Sequence, residues 1–244
     1  DDYVCTGPDT GLQVMQGAVG ASPAVVFDTM RRDTGDLFAF DVNEDGRLDL
    51  FDAAGMDDAQ LRTFPFYANS GTGFSAVGYF GFREIGATGS VNLGDFDGDA
   101  RTDMLLLGAT CSDPSCFGVG VYKRSGAPAG GFVRPTAYDA IPDSVFAGTT
   151  RLEKRWSTAV GDVDNDGDLD LIVNSATDFV LVMTNDGTGR FVVGPAVKVG
   201  TKPVRVAMAD VTGDGYDDVI AASGPGMEGQ VNVFNGLTGA QVAA

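Results

Sequence analysis

Five aspartates stand at alternate positions in the segment DVDNDGDLDL, residues 162–171: Asp162, Asp164, Asp166, Asp168 and Asp170. Carboxylates that close repel one another, so the run is held either by full solvation or by a cation that neutralises it. A single copy would read as an acidic surface turn. Three more copies follow the same template: DVNEDGRLDL from Asp41, DFDGDARTDM from Asp95 and DVTGDGYDDV from Asp210. Each places Asp at position 1, Asp, Asn or Thr at 3, Asp at 5, Gly or Ala at 6 and Asp at 9, followed by a hydrophobic residue. Generic turn propensity does not repeat oxygen donors at fixed offsets four times, so the repeat points to metal ligation.

The pattern suits calcium, which takes six to eight hard oxygen ligands in flexible geometry and can be wrapped by alternating side chains around a glycine turn. In the copy at 162–171 the side chains of Asp162, Asp164, Asp166 and Asp170 would converge, with the main-chain carbonyl of Asp168 as the position-7 ligand and its carboxylate pointing outward. Magnesium, which keeps its waters, does not match an all-protein cage. An EF-hand needs Glu at position 12, where this chain has Asp52, Leu106, Val173 and Ala221. Only the first copy could pass for a dockerin-type loop, with Asp52 at its twelfth place and AAGMDDAQLR as a helix.

The elements that would position these loops are strands. The copies start 54, 67 and 48 residues apart, too far for one hairpin and right for a four-stranded propeller blade. Strand-like runs flank the loops: STAVG and LDLIV around the third, VRVAMA and DVIAA around the fourth. A second turn signal recurs downstream in YANSGTGF, YKRSGAPAGGF, MTNDGTGRF and VFNGLTGAQV, where Asn, Gly, Ser and Asp supply the positive φ that tight hairpins need. Each repeat therefore reads strand A, acidic loop, strand B, strand C, glycine turn, strand D. The predicted fold is all-β, a β-propeller of four-stranded antiparallel blades over residues 36–86, 87–145, 146–200 and 201–244, the last of them incomplete at AQVAA. Residues 1–35 form a partial blade in which YVCTGPDTGLQVMQG supplies strands C and D.

Composition agrees with many strands and tight turns. The chain has 244 residues, 43% of them hydrophobic, enough to bury the core of one all-β domain or two. Its 35 glycines follow no triplet period. The formal charge of −18 argues against nucleic acid and anionic membranes as partners, because phosphate binding needs clustered Lys and Arg. Fourteen aspartates sit at template positions, and four divalent ions, at two charges each, would bring −18 to −10. Acidity thus reads first as ligand supply. No run of eighteen apolar residues occurs, so no membrane-spanning helix is expected. The chain opens on Asp1 without an initiator Met or a leader-like segment, as a processed form or an excised part would. Cys111 and Cys116 bracket SDPS, a spacer short enough to close a disulfide loop, while Cys5 has no evident mate. The rival use of that pair, zinc, is disfavoured by the lack of histidine and by only one further Cys. A disulfide implies an oxidising, extracellular setting.

These residues, including the phrases AVGDVDNDGDLDLIV and VFNGLTGA, resemble the FG-GAP and VCBS repeats that build integrin-alpha-like calcium-binding β-propellers, over nearly the whole chain. By matching position the resemblance implies up to four calcium sites: Asp41, Asn43, Asp45 and Asp49; Asp95, Asp97, Asp99 and Asp103; Asp162, Asp164, Asp166 and Asp170; Asp210, Thr212, Asp214 and Asp218. Main-chain carbonyls of Arg47, Arg101, Asp168 and Tyr216 would complete them. Two positions depart from the pattern. Ala100 replaces the turn glycine, at a cost in strain if φ is positive there, and Thr212 offers a neutral oxygen. Family members usually close seven blades, so a chain with four loops is expected to be a fragment, a small ring or a piece completed by another chain.

The resemblance implies an extracellular or cell-surface, non-catalytic module for binding or adhesion to a protein or carbohydrate, with calcium as a structural element. Trp156, Tyr79, Phe80 and Phe82 could form a contact surface or belong to the core between blades. Two alternatives stand beside that reading: an assembly subunit completed by strand exchange between chains, and the propeller of a polysaccharide-active enzyme such as a lyase. Zero histidines removes the commonest general base, and neither a nucleophile elbow nor a P-loop is present.

Overall fold

The computed structural model describes residues 3–7, 11–16, 24–28, 37–52, 56–58, 61–82, 86–109, 117–126, 131–141, 157–174, 178–199, 203–223, 231–236 and 238–243. Cys111, Cys116 and Trp156 lie outside them, as do the side chains of Cys5, Tyr79, Phe80 and Phe82. Among the described residues every helix or strand element is a strand, and no helix is long and apolar enough to cross a membrane. The chain divides into two compact units, Asp1–Arg83 with Gly126–Gly130, and Glu84–Ser125 with Gly131–Ala244.

The first unit holds two antiparallel sheets. One is a meander of β1 (Tyr3–Gly7), β2 (Gly11–Gln16) and β3 (Ala24–Asp28). The other contains β4 (Leu37–Phe40), β5 (Asp49–Asp52), β6 (Met56–Asp58), β7 (Leu61–Asn69) and β8 (Phe74–Phe82). The nine-residue β7 serves two partners on one edge. Its C-terminal half pairs with β5 through Leu50↔Tyr67 and Phe51↔Phe66, and its N-terminal half pairs with β6 through Met56↔Thr63. That β6–β7 pairing replaces the helix that a dockerin-type loop would require within AAGMDDAQLR: the free edge of a long strand offers Met56–Asp58 a ladder of hydrogen bonds that an isolated turn of helix lacks. Phe51, fully buried, meets Phe38 and Phe40 with ring centroids 6.3 and 6.2 Å apart.

The second unit stacks three sheets. The first comprises β9 (Gly86–Gly94), β10 (Asp103–Ala109), β11 (Phe117–Arg124), β12 (Phe132–Val133) and β13 (Asp139–Ala140). Its outer position is shared by β12 and β13, both paired to β11, with the proline-bearing stretch RPTAY between them. A proline cannot donate to the ladder, which accounts for a broken edge strand there. The next two sheets run in sequence order: β14 (Thr158–Gly161), β15 (Asp170–Asn174), β16 (Phe179–Asn185) and β17 (Phe191–Lys198), then β18 (Pro203–Ala209), β19 (Asp218–Ser223), β20 (Val231–Phe234) and β21 (Gln241–Ala243).

The middle sheet shows why its strands read as unbroken apolar runs. Side chains alternate between the two faces of a strand. Leu171, Val173, Leu181 and Met183 pack with Leu105, Leu107, Val119 and Val121 of the preceding sheet and with Phe96 of its acidic loop. Ile172, Val180, Val182 and Val197 pack with Val206, Val219, Ala221 and Phe234 of the following one. Both faces are covered, so neither parity can be polar. The sequential four-stranded antiparallel order, with sheets stacked face to face, is that of propeller blades.

Candidate metal centres

All four acidic segments are the same hairpin connection. The residue before position 1 pairs with the aspartate at position 9 in every copy: Phe40↔Asp49, Gly94↔Asp103, Gly161↔Asp170 and Ala209↔Asp218. Eight residues therefore bridge strands A and B each time. Such a tight loop needs left-handed backbone at two places. Position 4 has φ of 59° at Glu44, 73° at Gly98, 59° at Asn165 and 76° at Gly213. Position 6 has 84° at Gly46, 64° at Ala100, 95° at Gly167 and 90° at Gly215. Ala100 thus bears the strain that its glycine counterparts avoid.

Three aspartates hold this backbone. At position 1, Asp41, Asp95, Asp162 and Asp210 each accept from the amides of positions 5 and 6, at 2.7 to 3.2 Å. At position 5, Asp45, Asp99, Asp166 and Asp214 each accept from the amide of position 7, namely Arg47, Arg101, Asp168 and Tyr216. At position 9, Asp49, Asp103, Asp170 and Asp218 are fully buried and accept from the amide of position 2, contributed by Val42, Phe96, Val163 and Val211. The other oxygen of Asp49, Asp103 and Asp170 accepts from the strand C end, from the amides of Asn69, Arg124 and Asn185 at 2.7, 2.6 and 2.8 Å.

Position 3 separates the copies. Asp97 and Asp164 each carry a buried Oδ1 with no hydrogen-bond partner among the described residues, as does Asp218. A buried anionic oxygen without a donor is expensive, and a cation is the partner it fits. Carboxylate oxygens of Asp95, Asp97 and Asp99 lie within 4.8 Å of one another, as do those of Asp162, Asp164 and Asp170. That spacing is compatible with ligands at the 2.3–2.6 Å typical of calcium. Asp103 and Asp166 fall outside those two groups. In the first loop Asn43 accepts from the Asp45 amide at 3.1 Å, and in the fourth Thr212 replaces the carboxylate. Neither loop assembles a comparable trio of carboxylates, so the donor set fits a divalent cation best in the second and third copies.

Electrostatics follow the same division. Burial pushes the carboxyls of Asp103 and Asp170 up to about 6, against the backbone amides that oppose the shift and helped by neighbouring aspartates. Burial, then Asp166 and Asp162, raises Asp164. Asp168 is raised as well, by desolvation and by Asp166, Asp162, Asp186 and Asp95. Its carboxylate turns to Gly187, at φ 75°, where an added Cβ would stand 2.6 Å from Asp168 Oδ2.

Cations supplied by the chain already lie on some ligands. Arg47 Nη2 donates to Asp45 at 2.6 Å while its Nε donates to the Asn69 carbonyl. Arg101 reaches Asp99 at 3.4 Å and Lys123 reaches Asp97 at 3.0 Å. Within the third loop position 7 is an aspartate.

Two kinds of supporting residue were not singled out as functional from the sequence. The first is the asparagine opening the glycine turn. Asn69 Nδ2 donates to the Leu48 carbonyl, Asn185 Nδ2 to those of Leu169 and Phe96, and Asn235 Nδ2 to Asp214 Oδ2 at 2.7 Å. The signal was present in NSG, NDG and NG, but turn propensity alone accounts for such asparagines. The second is Asp217, whose Oδ2 accepts from the Asp162 amide at 2.9 Å while its own amide donates to the Asp162 carbonyl. It ties the third loop to the fourth, and nothing in the local pattern marks it. Gly161 is required beside it, since a Cβ there would collide with the Asp217 carboxylate.

A sequence profile described as FG-GAP-like repeat matches residues 41–106 and 162–221, together just over half of the chain. No curated protein sequence matches. Among solved structures, the crystal structure of the exotype rhamnogalacturonan lyase YesX is similar at a TM-score of 0.48 and 15% identity. The similarity covers 95% of this chain and 37% of that one.

Proposed function

The chain belongs to the FG-GAP-like repeat family, and on that premise we propose that it is an extracellular, non-catalytic propeller module that calcium stiffens for binding a protein or carbohydrate. The observation that carries the calcium reading is the pair of buried, partnerless position-3 oxygens on Asp97 and Asp164, each residue belonging to a carboxylate trio. Asp95, Asp97 and Asp99 would hold one ion, and Asp162, Asp164 and Asp170 a second, with weaker sites in the loops of Asp41 and Asp210, where Asn43 and Thr212 replace a carboxylate. Bound calcium would add positive charge to these crowded carboxylates, of which Asp97 and Asp99 are already met in part by Lys123 and Arg101. The chain's own part is to preorganise: position 1 and position 5 side chains fold the loop through backbone amides, and the buried position 9 side chain fastens it to strands A and C. That is a structural rather than a chemical task. The non-catalytic reading is supported by the conspicuous carboxylates among the described residues, which are engaged in holding backbone.

The test is a calcium titration of chelator-stripped protein, followed by melting temperature and calorimetry. Two tight sites and a raised melting temperature are expected, each site contributing about 2.7 kcal/mol at a hundredfold excess over its dissociation constant. Asp166→Ala is expected to impair one site and leave the others. A melting temperature indifferent to calcium would overturn the reading.

A further inference from the structure

The second unit carries a cleft that the loops do not explain. It has a volume of about 220 Å³ and opens between β11, the broken outer edge at β12–β13 and the turn joining β16 to β17. Its apolar lining is Val121, Val133 and Pro135, and the hydroxyl residues Thr136 and Thr188 line it too. Its charged lining consists of three cations, Lys123, Arg134 and Arg190, in a chain of formal charge −18 with only sixteen Lys and Arg in all. Lys123 and Arg190 are each met by a carboxylate, Asp97 and Asp139, so what the cleft offers an anion is a set of oriented cations beside an apolar lining rather than an unbalanced charge. The volume suits one ring or a short acid rather than a drug-sized molecule, for which pockets start near 300 Å³.

The cations are held, not loose. Arg190 donates through Nε and Nη2 to Asp139, which also accepts from the Phe191 amide at 2.8 Å, so the guanidinium is oriented and its Nη1 edge is not taken by that carboxylate. Lys123 is 44% exposed at the side chain and lies 3.0 Å from Asp97 Oδ2. Asp97 is also the position-3 residue of the second acidic loop. One carboxylate therefore serves two claimants, the lysine of the cleft and the cation of the loop.

We propose that this cleft binds a small carboxylate-bearing ligand of about one ring in size, its carboxylate on Lys123 and the two arginines and its hydrocarbon face on Val121, Val133 and Pro135, and that calcium in the second loop strengthens the binding. The second clause rests on the calcium reading above: a divalent ion drawing on Asp97 leaves the Lys123 ammonium to the cleft and offsets the loop's negative field. The carboxylate can come from a sugar acid or from an apolar ring acid. The test is calorimetric titration of the whole chain with galacturonate, cyclohexanecarboxylate and neutral galactose, with saturating calcium and after chelation, the melting temperature being recorded in every sample. At least one carboxylate is expected to bind in calcium, galactose at least tenfold more weakly, and Lys123→Met to weaken the carboxylate at least fivefold in protein that still melts cooperatively. Which of the two acids binds more tightly identifies the source. Failure of both acids, galactose binding as well as they do, or an unaffected Lys123→Met variant overturns the site. Carboxylate affinity independent of calcium in protein that calcium does stabilise overturns the coupling alone, whereas a melt indifferent to calcium sinks the calcium reading and leaves the cleft to be judged by the acids.

Discussion

In the loop that starts at Asp41 a guanidinium lies on the position-5 carboxylate, an asparagine occupies position 3, and its oxygen is satisfied by a backbone amide. In the loop that starts at Asp162 positions 3 and 7 are aspartates, one position-3 oxygen is buried without a partner, and burial and mutual repulsion raise the carboxyls of Asp164 and Asp168. The two share their register, their two left-handed residues and their amide-to-carboxylate bonds. The difference separates two tasks that the motif superimposes. Positions 1, 5 and 9 hold the hairpin through backbone amides in both loops. Positions 3 and 7 decide how far the hairpin depends on a metal.

The widest gap is expected at position 9. Asp170→Ala leaves the buried amides of Val163 and Asn185 without acceptors and should cost about 2–4 kcal/mol in urea unfolding with calcium present. Asp218→Ala should cost about 1 kcal/mol, because the amides of Val211 and Thr212 that it serves belong to exposed residues that water can reach. Equal losses would show that the position 9 bond is not what distinguishes a buried loop from an exposed one.

Acidity sharpens the comparison next. In the unfolded chain Asp103 and Asp170 titrate near 3.8, and in the metal-free fold at about 6. A carboxyl raised on folding favours the protonated native state, so this contribution is full below pH 3.8 and is lost as pH rises through about 6. Metal-free protein should therefore melt higher near pH 5 than near pH 7.5. Calcium requires the deprotonated carboxylate, so the melting difference between calcium-loaded and metal-free protein should widen over the same rise. A difference constant with pH would remove Asp170 from the binding equilibrium.

Position 3 can be exchanged between copies. Asn43→Asp combined with Arg47→Ala should raise the calcium affinity of the first loop about tenfold, and Asp164→Asn should lower that of the third by a similar factor, both read by calorimetry. The smallest effect is at position 6: Ala100→Gly should stabilise by about 1 kcal/mol, and Gly167→Ala should destabilise by a similar amount, in thermal melts.

Much of the frame was legible from the chain alone. Four Asp-rich segments at blade spacing, each between strand-like runs, placed the A–B connections, and NSG and NDG placed the C–D turns. These are local signals: a left-handed residue, a side chain accepting from an amide four or five residues on, and an alternation of apolar residues are all written within a dozen positions. The pairing of β6 with β7 was not legible, because short strands are chosen by whichever edge lies free. The fragmented outer edge at β12 and β13 was equally hidden, although Pro135 between them gives its reason afterwards.

For the candidate site, the sequence by itself determined which oxygens each loop could offer, since ligand type and offset are properties of the ten residues themselves. Only the tertiary structure decided which oxygens are buried without a partner, which are already met by Arg47 or Lys123, and that Asp217 fastens the Asp162 loop to its neighbour. The reason is physical: burial and Coulombic pairing depend on distances across strands and between stacked sheets. Those distances come from packing, and no stretch of ten residues contains them.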